Sequence, residues 1–361
     1  MYTQRLENVR TRLREEQIDA LLVGPSADLR YLTGYDALPL ERLTLLVVPA
    51  EGPAHLVLPE LELARAQDSG ATDLAQPRAW GETEDPIDIV RSLVADAHAL
   101  AVQDQLWTSF TLRLQAAIPA ARWVESAHIM RPLRIIKSEE KQTLLREVAA
   151  AIDHVHAQVP LLLRAGRRES EVGREIETLI REEHDEVSFV IVGSGPNGAS
   201  PHHETGERIL EDGDAVVVDI GGVRDGYCSD CTRNYVVGRV PDGYNEMHAV
   251  LEQAQQAAVE AVKPGVPAES IDTVARDLIT EAGFGEYFIH RTGHGIGIEG
   301  HEDPYIVAGN RELLQPGMAF SVEPGIYLPG RFGARIEDIV IVTDDGVEAL
   351  NHRPRTVVVG G

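Results

Sequence analysis

Five side chains able to bind a cation stand at strand ends or in glycine-rich turns of this 361-residue chain: Asp219, Asp230, His294, Glu323 and Glu337. Asp219 closes the run Val216, Val217, Val218, where an acidic group is out of place unless something offsets its desolvation. With Asp225-Gly226 as a two-residue hairpin loop, Arg224 faces Tyr227, Asp219 faces Thr232, and Asp219 and Asp230 point to one face. Carboxylates crowded there repel each other and require a shared proton or a cation, whereas two aspartates on a solvated hairpin need neither. That local choice stays open. Glu323 follows an apolar strand, Glu337 opens another, and the glycines around His294 let other backbone come close to it. Singly, a buried histidine or a paired glutamate is an ordinary structural finding. Jointly, four carboxylates and an imidazole in apolar strand contexts are hard to explain without metal. The set suits two hard or borderline divalent ions such as manganese, cobalt, iron or zinc.

The elements that must carry these residues follow from hydrophobic periodicity. Strands over Val216–Val218 and Tyr227–Val237 form the first pair; Met318–Val322 and Ile339–Val342 hold the second. Helices are expected over Ser138 to about Gln158, Glu171–Glu183, Tyr244–Val262 and Ser270–Ala282. The order is helix, helix, strand pair with two carboxylates, and then the same again. Val187–Gly193 is a strand that empties into a turn-rich loop carrying His202 and His203. His301 and Glu302 fall in a further loop. Upstream, strands at Ile18–Val23, Leu43–Pro49, Ala54–Leu58, Leu100–Asp104 and Arg122–Glu125 alternate with helices at Thr3–Glu16, Ala27–Gly34, Ile87–Ala95 and Ser109–Ala116. That pattern is an α/β domain, and its histidines, His55, His98 and His128, are isolated. A change of composition over Ala127–Ser138 marks the boundary, giving domains 1–130 and 131–361.

A composition of 43% apolar and 25% charged residues is ordinary for a soluble globular protein. The net charge of −25 disfavours a nonspecific grip on nucleic acid or anionic membranes. No apolar run approaches a membrane span. Two cysteines, Cys228 and Cys231, make no disulfide framework and point to a reducing compartment, the cytoplasm. As a CxxC pair they lack a second pair for a thiolate zinc site, and they lie in a strand rather than at a helix start.

The ordered motifs Val218-Asp219-Ile220-Gly221, Ser229-Asp230-Cys231-Thr232-Arg233, Gly293-His294-Gly295-Ile296-Gly297, Val322-Glu323-Pro324-Gly325 and Arg335-Ile336-Glu337-Asp338 resemble the creatinase, prolidase and aminopeptidase P family of pita-bread metallopeptidases. Ile18 to Val23 and Arg30-Tyr31-Leu32-Thr33-Gly34 resemble its amino-terminal domain. The resemblance implies an α/β (α+β) chain: a creatinase-like α/β domain, then a catalytic domain with a curved, mostly antiparallel sheet flanked by helices. It implies two divalent ions, manganese foremost with cobalt or zinc as alternatives. Asp219 would chelate one ion, His294 and Glu323 the other, and Asp230 and Glu337 would bridge them. A bridging hydroxide would attack the peptide bond before proline, with Glu323 as proton acceptor. His202 would contact the proline side and His301 would stabilise the oxyanion. His290 and Tyr227 would line the pocket, and Arg335 would either orient the metal carboxylates or bind a substrate carboxylate. A homodimer is implied as well.

Within that family, the amino-terminal domain disfavours methionine aminopeptidase and the complete ligand set disfavours creatinase. Prolidase, which cuts Xaa-Pro dipeptides, is the expected activity. Aminopeptidase P, which acts on longer Xaa-Pro peptides, shares the chemistry and is the alternative. A non-enzymatic protein-binding module of the same fold would be expected to have lost ligands that this chain retains.

Overall fold

The computed structural model describes residues 1–360, which form two compact units dividing between Arg134 and Ile135. The first unit contains α1 (Tyr2–Glu15), β1 (Ala20–Val23), α2 (Ala27–Thr33), β2 (Leu45–Pro49), β3 (His55–Pro59), α3 (Leu63–Asp68), α4 (Ala71–Leu74), β4 (Gln76–Trp80), α5 (Pro86–Leu93), β5 (Ala99–Val102), α6 (Thr108–Ala117), β6 (Arg122–Glu125) and all but the last residue of α7 (Ala127–Ile135). Its strands form one mixed sheet in the order β4-β3-β2-β1-β5-β6, covered by an apolar cluster that includes Leu22, Val47, Val90 and Leu114. Helix α2 starts on the Ser26 hydroxyl and stops at Gly34, which takes the left-handed conformation that glycine tolerates best. One feature departs from expectation: the segment read as a change of composition is helix α7, which accommodates Pro132. Strand β4 shows no alternating pattern, since four of its five residues are exposed.

The second unit contains α8 (Glu139–Leu162), α9 (Glu169–Glu183), β7 (Glu186–Ser194), β8 (Ala215–Arg224), β9 (Tyr227–Cys228), β10 (Cys231–Val237), α10 (Tyr244–Ala261), α11 (Ala268–Glu281), β11 (Gly293–Gly295), β12 (Glu302–Ile306), β13 (Ala319–Val322), β14 (Gly325–Leu328), β15 (Phe332–Arg335), β16 (Asp338–Val342), β17 (Val347–Ala349) and β18 (Val358–Gly360). Two five-stranded sheets result, one ordered β18-β10-β8-β7 with β9 on β8, the other β12-β11-β13-β16-β17. Every pairing in them is antiparallel except β10 with β18. Helices α8 and α9 pack on the first sheet through Val155, Ile176 and Val218; α10 and α11 pack on the second through Leu251, Ile271 and Phe320. This is the pita-bread arrangement, two helix-backed sheets whose central strands follow the same chain order, β7-β8-β10 in one and β11-β13-β16 in the other. No helix among the described residues is long and apolar enough to cross a membrane.

Strand alternation decides which residues leave the core. In β8, Val216, Val218 and Ile220 join the helix-side cluster, so Asp219 turns to the opposite face. In β13, Phe320 and Val322 face the helices, which turns Ser321 and the following Glu323 away from them. The hairpin forms as read, with Arg224 opposite Tyr227 and Asp219 opposite Thr232. Its return strand is broken at Ser229-Asp230, where Ser229 Oγ receives the Gly222 N–H at 3.0 Å and lies 2.9 Å from His184 Nε2. Two segments read as loops are strands: Gly293–Gly295 sits inside the second sheet, and Glu302 begins β12. Pro160 does not end α8, which continues to Leu162.

Strand β11 can sit where it does only because its ends are glycine. A Cβ on Gly293 would collide with the Ser321 carbonyl oxygen, and one on Gly295 with the Asp303 carbonyl oxygen. Gly295→Ala should therefore destabilise the unit by about 1–3 kcal/mol, the usual cost of overpacking. A urea midpoint equal to that of the wild type would refute this close approach.

Candidate metal centre

Asp219, Asp230, His294, Glu323 and Glu337 meet in one cavity of about 560 Å³ in the second unit, which His202, His290, His301 and Arg335 also line. Their ligand atoms form overlapping groups, Asp219–Asp230–Glu337 and His294–Glu323–Glu337, in which all atoms lie within 4.8 Å of one another. Each sheet contributes a matching pair. Asp219 lies in β8 and Asp230 just before β10; Glu323 lies just after β13 and Glu337 just before β16. His294, at the centre of β11, donates from Nδ1 to the Gly295 carbonyl at 3.1 Å. Its Nε2 is thereby turned to the carboxylates, 3.1 Å from Glu323 Oε1 and 3.7 Å from Asp230 Oδ2.

The carboxylates are held by short donors. The Thr232 hydroxyl lies 2.8 Å from both Asp219 Oδ1 and Glu337 Oε2, and a single proton cannot satisfy two carboxylates. Ser321 donates to Glu323 Oε1 at 2.9 Å while accepting the His294 backbone N–H. Arg335 gives Nη2 to Asp219 at 2.5 Å, Nε to Thr232 at 3.0 Å, and Nη1 to Tyr327 at 2.9 Å and to the Pro201 carbonyl at 3.3 Å. The Tyr327 hydroxyl in turn donates to His290 Nε2 at 2.9 Å, because His290 Nδ1 donates to the Arg291 carbonyl. Every nitrogen of the Arg335 guanidinium is thus engaged within the protein, which favours orienting the carboxylates over binding a substrate.

Charge does not balance in this arrangement. Burial pushes the Asp230 carboxyl well above its ordinary range, and Glu337, Asp219 and Glu323 push it further. Glu337 is raised in the same way, by burial first and then by Glu323 and Asp219. Burial also opposes the charge on Glu323, but its hydrogen bond to His294 and the nearby Arg335 bring it down to about 2. Among the described residues Arg335 is the one guanidinium hydrogen-bonded to a carboxylate of the cluster, and it cannot offset four of them. Glu337 Oε1 is buried with no hydrogen-bond partner, a condition that costs about 1–3 kcal/mol. Divalent cations would satisfy both deficits, and an oxygen-rich set with one imidazole fits them.

His202 and His301 occupy the rim. The His301 ring stacks on His294 with centroids 3.7 Å apart, and its Nδ1 receives an Arg291 N–H at 3.0 Å. An arginine cannot accept, so the neutral ring carries its proton on Nε2. Burial, then the neighbouring His294, draws its pKa down to about 4. His202 is exposed on a loop whose anchor is Glu169, a fully buried carboxylate at the start of α9. Glu169 accepts from Ser194 N and Oγ at 2.7 and 2.6 Å and from Asn197 at 3.1 Å, and lies 2.8 Å from His203 Nε2. His203 therefore ties down the loop and His202 is left to face the cavity.

The segment 143–344 matches the model of metallopeptidase family M24. The chain belongs to this family. Residues 5–136 match the creatinase/prolidase N-terminal domain. Across 99% of the chain, this M24 protein is 47% identical to "Probable dipeptidase PepE" of Mycobacterium bovis, covering 96% of that protein. It is 35% identical to the Xaa-Pro dipeptidase of Lactobacillus helveticus, with 96% of each chain covered. The crystal structure of dipeptidase PepE from Mycobacterium ulcerans superposes with a TM-score of 0.95 at 46% identity, over 99% of this chain and 97% of that one.

One candidate of the M24 chain does not reach the site. Tyr227 is buried in β9, opposite Arg224, and is not among the cavity-lining residues. Its odd spacing from Asp230 in an unshifted register places it on the other face of the hairpin. Conversely, Phe189, Ile191, Pro201 and Arg291 line the cavity without having been singled out. Ile191 pairs with Asp219 and Phe189 with Gly221, so alternation along β7 carried the signal once that pairing was known.

The raised carboxyls set a direction with pH. Asp230 and Glu337, with folded pKa values above their unfolded ones, contribute stability below the ordinary carboxylate range and lose it as pH rises through their raised values. Chelator-treated protein should weaken as pH rises toward neutrality. The melting-temperature gain on adding manganese should consequently be larger at pH 8 than at pH 5.5. A gain that is equal at both, or absent, would count against a cation-satisfied cluster.

Proposed function

We propose that this chain hydrolyses the peptide bond before proline in Xaa-Pro dipeptides, with two divalent ions, manganese preferred, held by Asp219, Asp230, His294, Glu323 and Glu337. The observation that carries the reading is the meeting of all five groups at the floor of a cavity walled by Phe189, Ile191 and Pro201. That apolar wall suits a pyrrolidine ring. Proline lacks an amide hydrogen and restricts the residue before it, so its bond is served by a dedicated pocket.

When bound, the ions supply Lewis acidity, lowering the pKa of water toward neutrality and polarising a carbonyl oxygen. The remaining work belongs to side chains. Glu323, ionised at any working pH and oriented by Ser321, accepts the proton released as water attacks. His301, neutral and protonated on Nε2, donates to the carbonyl oxygen as it gains charge. His202 faces the proline side from its anchored loop. Arg335 fixes Asp219 directly and reaches Glu337 through Thr232.

We further infer a homodimer from family membership, tested by light scattering, and a reducing, cytoplasmic setting, which two buried free cysteines support. Purified protein given manganese should release proline from Xaa-Pro dipeptides; cleavage confined to longer Xaa-Pro peptides would move the assignment to aminopeptidase P. Glu323→Gln should lower kcat by roughly 10²- to 10⁴-fold with the fold retained, and a near-wild-type rate would remove the role given to Glu323.

A further inference from the structure

The segment that presents His301 to the cavity is poorly suited to hold it. Residues 296–301 join β11 to β12 with neither helix nor strand, include Gly297 and Gly300, and leave His301 exposed. A Cβ on Gly300 would meet open space. The ring itself has its stack on His294 and its hydrogen bond from Arg291. The backbone beneath it is fixed one residue later, at Glu302, where β12 begins and pairs with Gly295. Along β12, Glu302, Pro304 and Ile306 are the buried positions, and Ile306 joins the helix-side cluster. Alternation thus turns Glu302 inward and His301, one residue before it, toward the cavity.

An inward carboxylate at the outer strand of a sheet is costly unless a cation meets it. Lys137, between α7 and α8, meets this one. Its Nζ donates to Glu302 Oε1 at 2.7 Å and lies 3.4 Å from the Ile135 carbonyl oxygen, and the two charged side chains are only 2% and 8% exposed. The base of the lysine is fixed as well. Its N–H donates to the Gly317 carbonyl at 2.8 Å, its carbonyl accepts from the Gln142 side chain at 2.9 Å, and Ile136 bridges to Met318 just before β13, the strand that leads to Glu323. On its other side the Glu302 carboxylate lies over Gly297, where a Cβ would come within 2.7 Å of Oε1. A buried pair of this kind adds little net stability over apolar side chains of similar volume, so its contribution is sought in geometry.

We propose that Lys137 and Glu302 are positioning residues for the hydrolysis: their ion pair fixes the start of β12 so that His301 Nε2 is aimed at the substrate carbonyl oxygen. The assignment rests on the oxyanion role given to His301 in the dipeptidase reading and adds the pair that enforces its pose. Because that N–H acts on charge that develops only in the transition state, loss of the pair lowers kcat and leaves KM in place.

Lys137→Met alone would strand a buried carboxylate and destabilise the fold for that reason. The test therefore replaces both partners, Lys137→Met with Glu302→Gln, in manganese-loaded protein. The double variant should keep the wild-type urea midpoint, manganese affinity and KM, while kcat on an Xaa-Pro dipeptide falls by about ten- to a hundredfold. In a His301→Ala background the same two substitutions should cost nothing further, since residues that act through one group are not additive. Glu302→Gln alone, which keeps an acceptor for Lys137 without the charge, should give an intermediate kcat and carries the same comparison should the double variant fold poorly. A wild-type kcat in these variants, or an equal fall with and without His301, overturns the positioning role. So does a loss of manganese affinity that accounts for the lost rate, which would place the effect on the Asp230 hairpin, joined to Gly297 through the Cys228 N–H. A His301→Ala enzyme as fast as the wild type removes the oxyanion role and this assignment with it, whereas a wild-type protein inactive on Xaa-Pro dipeptides overturns the dipeptidase reading and both roles together.

Discussion

The structure of the second unit is governed by one imbalance: four carboxylates share a cavity, and among the described residues a single guanidinium, that of Arg335, is bonded to any of them, at Asp219. Unmet negative charge in a poorly solvated site is expensive, and the chain answers it with rigidity rather than with more basic residues. Thr232 and Ser321 spend their hydroxyls on the cluster, and both come from the strands that carry its acids. Arg335 braces Asp219 and is itself braced by Tyr327 and, at its backbone N–H, by Asn234. Such a frame keeps like charges close when relaxation would drive them apart, which is what a preorganised cation site requires.

The frame is built twice. Each half supplies two helices, a pair of antiparallel strands and two acids on the face turned from the helices. In both halves the acid-bearing strand is apolar on its other face, so alternation converts an ordinary helix–sheet core into a surface that presents carboxylates. What differs is the fifth ligand. The second half brings His294 in on β11, a strand so closely flanked by Ser321 and Asp303 that its ends admit only glycine. The first half has Phe189 and Ile191 at the same level, and makes a wall instead of a ligand.

Much of this was legible in the sequence wherever the cause is local. The Asp225-Gly226 turn and strand alternation predict the pairing of Asp219 with Thr232, and the long helices follow from apolar spacing. The metal-ligating set followed from residue type and strand context, with its roles supplied by family resemblance. Readings failed where a local signal had two meanings. The composition change read as a boundary contains a helix with Pro132 inside it, and the helix expected to end at about Gln158 runs on through Pro160 to Leu162. The glycines around His294 were read as a loop although they are what lets β11 pack inside a sheet. Tyr227 was placed in the pocket by the family resemblance, when parity puts it on the other side of the hairpin from Asp230. Glu169 could not have been found at all, since its partners lie at the end of the next strand, Ser194, and on the loop beyond it, Asn197 and His203.

The histidines show how the charge deficit is kept open for cations. His290 donates to a carbonyl oxygen and accepts from Tyr327, and burial lowers its pKa. His301 accepts from an arginine, and its pKa falls to about 4. Both rings are therefore neutral at working pH. As imidazolium ions they would cancel part of the negative charge that attracts divalent ions, and would place positive charge beside the site those ions occupy. Burial and hydrogen-bond polarity thus act in the same direction. They leave carboxylates to define the field and imidazoles to supply lone pairs or directed N–H groups, so that a pocket rich in titratable residues has one demand for positive charge in place of several competing ones.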